Sequence, residues 1–98
     1  MTSFTRRQVL ELLELDETFL VALEEEAIAR PDAPEPEPGY SDWMLERIRV
    51  AHVLVEELDV NLAGAAVILR MREDLAGLRH RVAELLSELE RQRGGGAG

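Results

Sequence analysis

Between Asn61 and Arg93 the chain reads NLAGAAVILRMREDLAGLRHRVAELLSELERQR, with no proline and an apolar residue at every third or fourth place. Ile68, Met71, Leu75, Leu78, Val82, Leu85 and Leu89 follow one another at alternating steps of three and four. That spacing keeps an apolar seam on one side of a supercoiled helix. It predicts one long helix over residues 61–93 whose seam pairs with another helix. At the rise per residue of an α-helix it would be roughly 45–50 Å long, more than a small domain can cover. The expected partner is therefore a second copy of the chain, in either orientation.

The rest of the chain is short. Its 98 residues leave room for one small domain plus this extension, and a core of that size is marginal unless copies share it. The formal charge is −9 and lies mostly in the first half. Residues 1–40 hold three arginines against ten acids, whereas residues 41–98 hold eight against ten. Such a balance disfavours phosphate backbones and anionic membranes and favours basic partners. Cysteine is absent, which removes disulfides, thiol chemistry and zinc knuckles. The opening MTSFTRRQVLELLEL lacks the pattern of a secretory signal, and no run of eighteen apolar residues exists to span a membrane. The expectation is a soluble cytoplasmic protein.

Local signals divide the chain into residues 1–60, a compact part; 61–93, the pairing helix; and 94–98, a flexible glycine-rich tail. Thr5 followed by Gln8 has the form of a capping box, with Phe4 placed to staple onto Val9. It predicts a first helix from Arg6 to about Leu13–Glu14, with Val9, Leu12 and Leu13 on one face. Asp16 is a candidate N-cap for a second helix from Glu17 to about Glu26, with Glu17 at its positive end and Phe19, Leu20 and Leu23 turned inward. Two short helices joined by about three residues match a helix-turn-helix. The segment PDAPEPEPG over 31–39 reads as an extended, water-facing loop. It is either a linker or a wing with arms Ala27–Arg30 and Gly39–Tyr40. Ser41 and Asp42 predict a third helix from Asp42 to about Leu58, with a core stripe of Met44, Ile48, Ala51, Val55 and Leu58. Asn61 is the expected cap of the long helix, and Gly64 the expected point of close approach between the last two helices.

Catalytic chemistry is not visible. His52 and His80 have no second histidine or cysteine near them in sequence, and the consecutive Glu24, Glu25 and Glu26 cannot face one ion from a helix. No metal, no cofactor and no enzymatic activity are expected. Nucleic-acid reading is also poorly served. The second helix, ETFLVALEEE, carries four acids and no base or amide, whereas base and phosphate contacts need arginine, lysine or amide side chains. Arg6, Arg7 and Arg30 are the available phosphate contacts.

Taken together, the expected fold is mainly all-α: a winged helix-turn-helix, a third helix and a long coiled-coil-type helix. With GYSDWMLERIRVAHVLVEELDVNLAGAAVIL following the wing, this order resembles the MerR-like regulators. More narrowly, it resembles the CbpM chaperone-modulator family. The residues that carry the likeness are Phe4 and Thr5, Leu15 and Phe19, Ile28 to Pro31, Tyr40-Ser41-Asp42, the run from Glu57 to Val67, and Glu73 to Leu78. Two features depart from it. Glu14 stands where the family often has glycine, and holding a left-handed turn there without glycine costs about 1 kcal/mol. The wing is also richer in proline.

The resemblance implies a binder of the J-domain of a DnaJ-like co-chaperone. It would regulate that protein's work with the Hsp70-type chaperone DnaK, either as an inhibitor or as an assembly factor. J-domains present a basic helix, for which an acidic binder is the electrostatic complement. The expected contact residues are Glu17, Glu24, Glu25, Asp42, Trp43 and Glu46. The alternative is a MerR-like DNA-binding transcriptional regulator; a bare helix-pairing adaptor is a third reading.

Overall fold

The computed structural model describes residues 3–33 and 38–97. Its order is β1 (Ser3–Phe4), α1 (Arg6–Leu12), α2 (Glu17–Glu25), β2 (Tyr40–Ser41), α3 (Asp42–Glu56) and α4 (Leu62–Ala97). The mainly helical, winged helix-turn-helix architecture is as the sequence predicts.

Three of the four helices start where a side chain takes up a free backbone donor. Thr5 Oγ1 accepts from the Gln8 N–H at 3.1 Å while the Gln8 side chain accepts from the Thr5 N–H at 2.9 Å, completing the capping box. Ser41 accepts from the Met44 N–H at 3.1 Å, and Asn61 from the Gly64 N–H at 2.7 Å. Asp16 holds the N-cap position of α2 but makes no side-chain bond there.

Helix ends are made without glycine. Glu14, Ala27 and Asp59 take φ values of 52°, 58° and 55°. After α1 the Leu15 N–H reaches back to the Leu10 carbonyl and that of Glu14 to Glu11. After α2 Ile28 reaches Leu23 and Ala27 reaches Glu24. Both are the paired closure of a Schellman motif, in which the residue after the left-handed one packs inward. Leu15 and Ile28 are indeed buried, so apolar burial offsets the left-handed strain. α3 stops through a wider bond from Val60 to the Leu54 carbonyl.

The core gathers Val9, Leu15, Leu20, Leu23, Ile28, Tyr40, Met44, Ile48 and Ala51 with Ala65 and Leu69 of α4. Full burial of an aliphatic side chain of this size contributes about 1.5–3 kcal/mol, which is what holds α1–α3 onto the start of α4. Phe4 and Phe19 pack on its margin. Three expectations need correction. Leu12 and Leu58 are 59% and 63% exposed, the first because only one side of the two-turn α1 meets the core, the second because α3 ends before it. Gly64 does not mediate a close approach to α3. A Cβ there would meet Val60 and Asn61 at 3.0 and 3.1 Å, so the crowding comes from its own N-terminal turn.

The wing differs in its arms. β2 pairs antiparallel with β1, Ser3 opposite Ser41 and Phe4 opposite Tyr40, while Ala33 and Gly39 exchange backbone bonds of 3.0 and 2.8 Å. Ala27–Arg30 is no arm, because Ala27 ends α2 and Ile28 and Ala29 enter the core. The proline-rich tip at 34–37 lies outside the described residues. Asp32 closes the base: its Oδ1 accepts from the Ser41 N–H at 2.8 Å and its Oδ2 from the Ser41 hydroxyl at 2.5 Å.

α4 continues past Arg93 to Ala97, over glycines whose composition predicts a flexible tail. Adding residues to an existing helix is far easier than starting one, so a helix end can run into poor formers.

Candidate interaction surfaces

Ala65 and Leu69 face the core, yet from Met71 onward the seam of α4 is exposed among the described residues. Ile68 is half-buried, and Met71, Leu75, Leu78, Val82, Leu85 and Leu89 are exposed by 48–64%. Leu86 and Val67 beside them are 55% and 57% exposed. An apolar strip of this extent on one helix is the signature of an association surface. Its upper end opens as a groove lined by Ile68, Met71, Leu75 and Leu78 with Arg72 and Asp74.

The six acidic and aromatic residues expected to meet a partner fall on α2 and α3. On α2, Glu17, Val21 and Glu25 succeed one another at steps of four, and all three are exposed. This outer stripe carries no cation. Glu24 is instead engaged within the domain. Its carboxylate accepts from Arg6 Nη1 at 2.7 and 2.9 Å and from the Tyr40 hydroxyl at 3.1 Å. The bond to Glu24 strengthens the proton's hold on the Arg6 guanidinium against the opposing effect of burial. Burial, and then the neighbouring Glu24, pushes the Tyr40 hydroxyl above its ordinary value. Arg6 also lies 3.6 Å from Glu17. The arginine that the sequence offers as a phosphate contact is thus occupied by carboxylates, while Arg7 and Arg30 are exposed.

On α3, Asp42 and Trp43 are exposed, the indole by 55%. Trp43 is therefore a surface residue, at the edge of a groove shared with Glu46, Arg47, Leu69, Arg72 and Glu73. Arg47 is the fastening that the sequence did not reveal. Its Nε donates to the Ile28 carbonyl at 2.7 Å, its Nη1 pairs with Glu73, and its guanidinium stands 5.7 Å from the Trp43 ring centre. It ties the end of α2 to α3 and α4. Glu46 is bonded at 2.6 and 2.9 Å to Arg49, which holds its carboxyl below the usual carboxylate range. Charge around Trp43 is accordingly balanced, whereas the outer stripe of α2 holds only acids and an apolar residue, with Arg6 3.6 Å from Glu17 at one end of it.

His52 meets Phe19 edge-on at 5.2 Å, and His80 lies 3.1 Å from Glu84 on the exposed helix. Among the described residues no group of three potential ligands converges on a metal position, and no helix is long and apolar enough to cross a membrane.

A family model described as MerR HTH family regulatory protein matches residues 4–87. The match runs from the last residue of β1 into the lower half of the seam. No curated protein and no solved structure matches the chain.

Proposed function

Because this chain belongs to the MerR HTH family of regulatory proteins, we propose that it regulates by binding and that its helix-turn-helix has been turned from nucleic acid to a basic protein surface. One observation carries this reading. The outer face of α2, where a DNA-reading helix would present cations, presents Glu17, Val21 and Glu25, while Arg6 is folded back on Glu24. An exposed valine between two carboxylates suits an apolar anchor framed by charge that steers encounter. Asp42 and Trp43 would extend the contact.

The resemblance to CbpM-type modulators suggests the J-domain of a DnaJ-like co-chaperone as the basic surface. The chain would then regulate that protein's cooperation with DnaK, without catalysis and without a cofactor. The exposed seam supports a homodimer through α4 as the working form.

Stopped-flow association with a J-domain across a salt series tests the proposal. Reversing both acids, Glu17→Arg with Glu25→Arg, is expected to slow association about tenfold at low salt and much less at high salt. Salt-independent association, or none, would overturn it. Family membership itself favours the second reading, a DNA-binding transcriptional regulator. Salt-dependent retention of duplex DNA that is lost on Arg7→Ala with Arg30→Ala would establish that reading instead.

A further inference from the structure

Two hollows meet at Trp43, the only tryptophan of the chain. One lies toward the end of α2, with the buried Ile28 and Met44 beneath it and the exposed Arg30 at its rim. The other lies toward α4, with the buried Leu69 beneath it and the exposed Arg72 at its rim. Arg47 and Glu73 line both, which makes of them one trough across the start of α3. Their volumes are about 140 and 170 Å³. A pocket that encloses a free small molecule runs to about 300–1,000 Å³, so each hollow suits a single side chain rather than a whole ligand.

The acids and bases beside Trp43 match in number but not in pairing. Arg47 pairs with Glu73, and Glu46 pairs with Arg49, which lies outside the trough. Arg30 and Arg72 form no ion pair among the described residues. They act on Asp32 and Glu46 only through space, because Ser41 and Arg49 hold those carboxylates. The chain carries a net charge of −9, yet here the groups left over are cations. A phosphate backbone is a poor match, since Glu46 and Glu73 stand beside those cations and repel it. Tryptophan and arginine are the side chains that most often carry binding energy at a protein surface.

We propose that this trough binds a linear acidic segment, seating one apolar side chain on each side of Trp43 and setting carboxylates against Arg30 and Arg72. This goes beyond the reading of α2. There Trp43 only borders a contact with a basic surface, and here it centres a contact of opposite sign. As the sole indole, Trp43 reports the trough directly through its fluorescence. The full chain is titrated with the end-blocked peptides Glu-Phe-Leu-Glu and Glu-Phe-Asp-Leu-Glu, which differ in the spacing of their apolar side chains, and with counterparts carrying lysine for each acid. The expected result is a saturable blue shift with at least one acidic peptide and none with its lysine counterpart. Reversing both cations, Arg30→Glu with Arg72→Glu, is expected to weaken that affinity about tenfold. Both side chains are exposed, so the fold survives their reversal. No shift with either acidic peptide, an equal shift with the lysine counterparts, or an affinity that the double reversal leaves unchanged would overturn the proposal. Duplex DNA that shifts the emission where the acidic peptides do not would overturn it too, in favour of nucleic acid.

Discussion

Asp32 connects the wing to α3 through one side chain. Ser41 donates to it twice, and the same Ser41 oxygen caps α3 by accepting from Met44. Burial works against the charged form of Asp32, but the Ser41 hydroxyl and N–H outweigh it and hold the carboxyl below its ordinary range. A carboxyl whose folded value is depressed adds stability that is fully present above its unfolded value, about 3.9. That stability is lost as pH falls through the folded value. Asp32→Asn is therefore expected to cost about 1–2 kcal/mol at pH 7, with the gap from the unmodified chain closing below about pH 4. Urea unfolding at a series of pH values measures it. Arg6 makes a related point about function. The sequence shows a cation at the start of a helix-turn-helix, and only the fold shows Glu24 and Tyr40 holding it.

At the level of elements, starts were easier to read than stops. Thr5 with Gln8, Ser41 and Asn61 act on donors three residues ahead, so their signals are local and the sequence shows them directly. The stops at Glu14 and Ala27 depend on Leu15 and Ile28 reaching a core assembled from distant segments, and no glycine marks them. Arg47 was invisible for the same reason, since its partners Ile28 and Glu73 lie 19 and 26 residues away. Of the contact candidates, Glu17, Glu24 and Glu25 were read alike as acids of the second helix, and Glu24 could not be set apart from its neighbours without Arg6 in place. Two substitutions follow from the backbone. Ala27→Gly relieves an exposed left-handed position and should stabilise by about 0.5–1 kcal/mol. A Cβ at Gly77 meets nothing within 4 Å, so Gly77→Ala should stabilise α4 by about 1 kcal/mol. Denaturant midpoints of the two variants decide both.

As a whole the molecule measures 61 × 35 × 19 Å, a small body with a helix projecting from it. The body's core ends at Leu69, and past Met71 the Arg47–Glu73 pair fastens α4 to α3, so on the proposed pairing the rest of α4 would draw its stability from a second copy. Raising chain concentration tenfold should then stabilise the proposed dimer by about 1.4 kcal/mol, seen as a rising thermal midpoint. Leu78→Glu should abolish that dependence while the body keeps its helical signal. On the proposed pairing, the bare strip on α4 would make this chain a gauge of its own abundance. A scarce copy would show a greasy stalk to proteases and holdases and a plentiful one would hide it, so the cell's supply of the regulator would be trimmed at the low end without any separate sensor.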